Sequence, residues 1–150
     1  MSSRHKSRTI ALQGLYQIDL VASSLKDVLS FKWYDKESSK EDREYAEFLI
    51  RGVLDNWDFL DNLIQKHSAN WEISRMSVVN RCILRLSIFS FWKEPNLHKS
   101  VVIDEALVLT GEFESDESVK FVNGILDSVL EKEVDINTRP WKSPKETDST

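Results

Sequence analysis

Apolar residues recur at three- and four-residue steps along almost the whole chain, the spacing of helices that bury one face. The pattern is clearest from Glu41 to His67, where Tyr45, Phe48, Leu49, Gly52, Val53, Leu60, Leu63 and Ile64 share a stripe. Lacking an internal proline, that stretch reads as one long helix or as two joined at a bend. A helix is predicted from about Val78 to Lys93, with the Ser77 hydroxyl as its N-cap. Its apolar residues (Val79, Ile83, Leu84, Leu86, Ile88, Phe89, Phe91 and Trp92) face most directions, which places it at the centre of the fold. Pro95 ends it. The next helix opens at Ser100 and turns Val102, Ile103, Ala106, Leu107, Leu109, Thr110 and Phe113 inward. After Ser115, a final helix keeps Val122, Ile125, Leu126, Val129 and Leu130 on one side. The first helix is predicted over Arg8–Leu20, and Leu25–Trp33 makes one or two turns. No strand of convincing length and no repeat is visible. The expected fold is all-α, a compact single domain of six or seven helices over residues 1–134. The stretch Asn137–Thr150, with Pro140 and Pro144, reads as disordered, so residues 135–150 form a tail.

Composition narrows the function more than the fold. With 4 Gly and 3 Pro in 150 residues, the chain lacks the turn residues that a sheet protein needs. A domain of this length holds together without disulfide or metal. The single cysteine, Cys82, excludes an intramolecular disulfide and a paired-thiolate zinc site, and reads as a small core residue. His5, His67 and His98 lack the spacing of metal ligands, and the glycines are too scattered to cradle a phosphate. No nucleophile turn is present. The chain is therefore not expected to be an enzyme, nor to carry a cofactor or metal. Gln13, Gln17 and Asp19 interrupt the first apolar stretch, so neither a signal peptide nor a membrane span is predicted, and the protein is expected to be cytoplasmic.

The net charge of −5 argues against a nucleic-acid binder until it is divided. Arg4, Lys6 and Arg8 put +3 into residues 1–8, so residues 9–150 carry −8. A basic arm on an acidic body concentrates the positive potential that phosphates seek; an ordinary solvated terminus is the plain alternative. Phe121 is the second feature. It lies about 100° around the last helix from Val122, on the side of Gly124 and Ser128. Beside Lys120 such a ring can stack an unpaired base while the lysine meets a phosphate; otherwise it packs beneath a neighbouring loop. Glu112, Glu114, Asp116 and Glu117 surround this point and oppose an RNA backbone, although a carboxylate can accept from a base amino group.

Four stretches resemble the transcription antitermination factors of the N-utilization substance B (NusB) family. They are Ala11-Leu12-Gln13-Gly14-Leu15-Tyr16-Gln17, Asn80-Arg81-Cys82-Ile83-Leu84-Arg85-Leu86, Lys99-Ser100-Val101-Val102-Ile103-Asp104-Glu105-Ala106, and Asp116-Glu117-Ser118-Val119-Lys120-Phe121-Val122-Asn123-Gly124-Ile125-Leu126-Asp127. The likeness covers roughly residues 4–132 and implies two packed helical bundles. It further implies binding of boxA-type single-stranded RNA in ribosomal RNA leaders, jointly with ribosomal protein S10, within an antitermination complex on RNA polymerase. The RNA contacts it implies are Arg4, Lys6 and Arg8 with Glu117 and Phe121; Tyr16 and Asn80 are implied on the S10 face. Three positions depart from the family pattern: Glu117 stands where Asp is usual, Glu114 where Gly is usual, and Asn80 where an acid is usual. Weak RNA affinity without S10 is the resulting expectation, and self-association of the free protein stays open. The alternative is a protein-interaction scaffold in which the partner supplies the RNA contacts. The RNA-guiding domain of a ribosomal RNA cytosine methyltransferase is not the expected reading, since these residues hold neither an α/β catalytic domain nor a cofactor loop, and no basic recognition helix points to DNA.

Overall fold

A computed structural model describes residues 2–69 and 71–133. The predicted tail, residues 135–150, lies outside the described residues. Seven α-helices and one 3-10 turn make up the described chain, and no strand occurs among the described residues. The residues divide into two compact units, with the boundary between Gly52 and Val53. No helix among the described residues is long and apolar enough to cross a membrane.

The first unit contains α1 (Ser2–Val21), α2 (Leu25–Leu29) and most of α3 (Lys40–Asp55). Helix α1 begins six residues before the predicted start, so the basic N-terminal segment is helical rather than a loose arm. Ser39 and Asp42 form a reciprocal capping box at the start of α3. The Asp42 carboxylate accepts from Ser39 N at 3.0 Å, and the Ser39 hydroxyl accepts from Asp42 N at 3.0 Å. The core comprises Ile10, Ala11, Leu12 and Leu15 of α1 with Val28, Ala46, Leu49 and Ile50. Gly14 permits the close packing here: a Cβ at this position would stand 2.9 Å from Ile50 Cδ1 and 3.0 Å from Val28 Cγ1. The buried stripe of α3 runs through Asp42, Ala46, Leu49, Ile50 and Val53. Phe48, expected inside, is 44% exposed because it lies on the flank of that stripe, stacked on Tyr45.

The second unit is built around α5 (Val78–Lys93), whose N-cap is Ser77 as the sequence predicts, with its hydroxyl accepting from Asn80 N. Helix α5 packs against α4 (Trp57–His67), α6 (Lys99–Phe113) and α7 (Asp116–Lys132). The stretch 41–67 is therefore two helices, broken at the buried Asn56. Helix α5 is buried on nearly every side. Its interior polar residues bond locally: Ser87 donates to Ile83 O at 2.8 Å and Ser90 to Glu94 at 2.7 Å. Cys82 is a buried core residue, as expected. Helix α6 is capped by His98, whose Nδ1 accepts from Ser100 N at 3.1 Å. Its buried stripe is Val102, Ala106, Leu109 and Thr110. Phe113, read as inward-facing, is 38% exposed because the helix ends there and no further turn carries it into the core.

A polar clasp fixes the end of α7 to α4. His67 has a side chain only 2% exposed; its Nδ1 lies 2.8 Å from Ser128 Oγ and its Nε2 2.8 Å from Glu133 Oε2. Lys66 donates to the same Glu133 oxygen at 2.8 Å. The Lys66 hydrogen bond, aided by that from His67, holds the Glu133 carboxyl below its usual value of 4.5 against the opposing effect of burial. A carboxylate depressed in the folded state stabilises the fold above its unfolded value and loses that contribution as pH falls through its folded value. Glu133→Gln is therefore expected to lower stability by roughly 1.5–3 kcal/mol at neutral pH, the range for hydrogen bonds to a charged group. In urea titrations, the wild-type and variant curves should converge as the pH drops below 4.5; a gap that persisted in acid would assign the effect to packing instead.

Candidate nucleic-acid interface

Two separate clusters contain most of the residues singled out by sequence. In the first unit, Arg4 and Arg8 flank one aromatic ring. The Arg4 guanidinium lies 3.7 Å from the Tyr45 ring centroid, and Arg8 Nη2 donates to Tyr45 Oη at 3.0 Å. Their fates differ. Arg4 is exposed, whereas Arg8 is 5% exposed and belongs to the interior of its unit. Lys6 donates to the backbone carbonyl of Glu37 at 2.8 Å, which ties the first turns of α1 to the loop before α3. Glu41 and Glu44 lie in the same hollow as Arg4 and Tyr45, which tempers its positive potential. Tyr16 is 38% exposed on α1.

In the second unit, a cleft of about 270 Å³ opens where α5 and α7 begin, just below the size range of small-molecule sites. Trp71, Met76, Asn80, Glu117, Ser118 and Phe121 line it, with Arg75 of the 3-10 turn Ile73–Arg75. Two serine caps bring these helix starts together. Ser77 caps α5, and Ser115 caps α7 by accepting from Ser118 N at 3.2 Å. Phe121 is half-buried, with its ring edge-to-face against Trp71 at 6.3 Å between centroids and 75° between planes. Trp71 itself is 55% exposed. Gln65 holds the backbone there, donating to Trp71 O at 2.7 Å and accepting from Ile73 N at 2.8 Å. Glu117, in the first turn of α7, and Lys120 are both exposed. Gly124, expected to leave the Phe121 ring accessible, does line a second hollow with Lys120 and Phe121.

The resemblance places Asn80 on a partner face, but the side chain is only 6% exposed and donates through Nδ2 to Ser118 Oγ at 3.0 Å. A partner reaching the start of α5 meets the exposed Ser77 before that amide. Sequence reasoning overlooked Trp71 and Arg75, which stand in an irregular stretch without helical periodicity. A tryptophan beside the 3-10 turn, unattached to any apolar stripe, is the signal that could have revealed them.

The model of the NusB family matches residues 5–131. The chain belongs to the NusB family. The transcription antitermination protein NusB of Leptospira biflexa is 55% identical over 134 residues, spanning 89% of this chain and 96% of that protein. The NusB of Myxococcus xanthus is 39% identical over 133 residues, spanning 86% of this chain and 95% of that protein. Among solved structures, T. maritima NusB is similar with a TM-score of 0.79 and 30% identity, covering 98% of this chain and 97% of that one. A structure of the antitermination factors NusB and NusE in complex with dsRNA is similar with a TM-score of 0.75 and 26% identity, covering 87% of this chain and 98% of that one. The all-helical fold and the NusB family resemblance expected from the four sequence stretches both hold.

Proposed function

We propose that this antitermination factor of the NusB family is a non-enzymatic protein that binds boxA-type single-stranded RNA together with ribosomal protein S10, and joins the antitermination complex on RNA polymerase in that form. The observation that carries this function is the pairing of the exposed Trp71 with the half-buried Phe121 at the mouth of a cleft whose rim carries Glu117. Aromatic faces stack unpaired bases of any sequence, and a carboxylate beside them accepts from base amino groups. Lys120 and Arg4 are exposed cations suited to phosphate, and Lys6, two residues after Arg4, is half-buried. Arg8 acts as a positioning residue, because its guanidinium is committed to Tyr45, the ring that carries Arg4. Tyr16 offers S10 an exposed aromatic on α1. A related structure containing NusB, NusE and RNA supports the choice of partners, NusE being the S10 protein.

The acidic body favours joint over solitary binding. Glu112, Glu114, Asp116 and Glu117 crowd the approach to α7, so a basic partner supplies attraction that this chain lacks. Titrating labelled boxA RNA with the chain alone, and again with S10, tests this directly: affinity should rise when S10 is added. The paired substitution Arg4→Ala and Lys6→Ala should flatten the dependence of log affinity on log salt by about 0.7 for each phosphate contact removed. An unchanged slope would reduce the N-terminal cations to structural members of α1. RNA binding by S10 that this chain does not alter would favour the scaffold alternative.

A further inference from the structure

The cleft between the starts of α5 and α7 contains a polar atom that base stacking leaves unused. Asn80 Oδ1 is the one buried side-chain nitrogen or oxygen among the described residues with no hydrogen-bond partner. A buried acceptor left unpaired is costly, and where one persists it calls for an explanation. The amide gains nothing by turning over. Ser118 Oγ has a single proton and donates it to Glu114 Oε1 at 3.3 Å. Its lone pairs accept from Asn80 Nδ2 at 3.0 Å and from Ser115 Oγ at 3.5 Å. A reversed amide would accept the Ser118 proton but bury two N–H groups without a partner in place of one oxygen. Glu114 thus acts through Ser118 to hold the amino side of Asn80 toward α7. Two departures from the family pattern, Glu114 and Asn80, are joined by one serine.

We propose that Asn80 selects the base that enters this cleft, its Oδ1 accepting from the exocyclic amino group of an adenine or cytosine stacked on Phe121. This rests on the cleft being the RNA site. Cytosine presents its N4 amino group, and adenine its N6, as donors, whereas uracil presents a carbonyl oxygen that an amide carbonyl repels. Glu117, on the rim, is a second acceptor and biases the cleft the same way. Arg75, exposed beside the opening, is placed for the phosphate of the same nucleotide. Oδ1 is screened from water in the free protein, and the unbranched side chain of Met76 is the wall with most freedom to move aside.

The test uses the full chain, with and without S10, and labelled oligoadenylate, oligocytidylate and oligouridylate of equal length. The adenylate and cytidylate should bind about three- to tenfold more tightly than the uridylate, the range of one net hydrogen bond. Asn80→Ala should bring that ratio close to one. Ser118→Ala should also lower it, because the amide is then free to turn; it carries the test if circular dichroism shows that Asn80→Ala has lost helix. An unchanged ratio in both variants, or an equal loss for all three oligonucleotides, overturns base selection. In that case Phe121→Ala still decides whether the cleft binds RNA at all. Weaker capture of S10 by Asn80→Ala without RNA, with base preference intact, would make the cleft a protein contact and also overturn the inference. If the wild-type chain binds none of the three with S10 present, base selection and the RNA site fall together.

Discussion

Asp61→Ala should destabilise the second unit more than any substitution in the RNA cleft. Arg85 is 3% exposed in the middle of α5, and its guanidinium meets Asp61 in a two-pronged contact, Nε to Oδ1 at 2.6 Å and Nη2 to Oδ2 at 3.1 Å. One face lies 3.7 Å from the Trp57 ring centroid, and Nη1 approaches Cys82 Sγ at 3.7 Å. Planarity and a fixed fork of donors suit arginine to this arrangement. Without Asp61 the guanidinium keeps its ring and loses its counter-charge, and breaking a buried pair in this way costs about 3–5 kcal/mol. Because the Asp61 side chain is 22% exposed, water replaces part of the lost contact, and the lower half of that range is expected. For a chain of this size each kcal/mol moves the melting temperature by about 2–4 °C. A loss of roughly 6–16 °C should therefore appear by calorimetry. The double substitution Asp61→Leu with Arg85→Met removes both charges and should recover most of it. If the double variant were no more stable than Asp61→Ala, the pair would matter for its shape rather than its charge.

That pair shows where sequence reading stops. Residues 61 and 85 lie on different helices, and nothing local marks Arg85 as anything but a polar residue within an apolar run. The clasp of His67, Ser128 and Glu133 is hidden for the same reason, since more than 60 residues separate His67 from the other two. Contacts set by local chemistry were legible. The Ser77 hydroxyl and the apolar surround of α5 define both its start and its central place. The off-stripe position of Phe121 anticipates a ring that is half-buried rather than enclosed, although its companion Trp71 sits outside any periodic pattern. Charge was read less well. Counting Arg4, Lys6 and Arg8 gives +3 near the N-terminus, but a count cannot reveal that helix α1 extends through them and turns Arg8 inward to Tyr45. Phe48 and Phe113 mark a similar limit: each fits a helical spacing, yet one falls on a flank and the other at a helix end.

Phe121→Ala should weaken boxA RNA binding in the presence of S10 by about 5- to 150-fold, the equivalent of the roughly 1–3 kcal/mol that one base stacked on an aromatic contributes. The fold should tolerate the change. The ring is half-buried on the flank of α7, while Val122, Ile125, Leu126 and Val129 carry the packing of that helix. Two comparisons separate stacking from a general loss of affinity. Phe121→Tyr retains the face and should bind nearly as well as wild type. The slope of affinity against salt should also match wild type in Phe121→Ala, since no cation has been removed. Trp71 supplies the internal control. Its ring meets Phe121 edge-on, so Trp71→Ala removes either a second stacking surface or only a support for the first. In the first case the double variant loses the sum of the two single effects. In the second it loses no more than Phe121→Ala alone, because contacts that act through one ring are not additive. Wild-type affinity in Phe121→Ala would remove the stacking role and leave the N-terminal cations and S10 to hold the RNA.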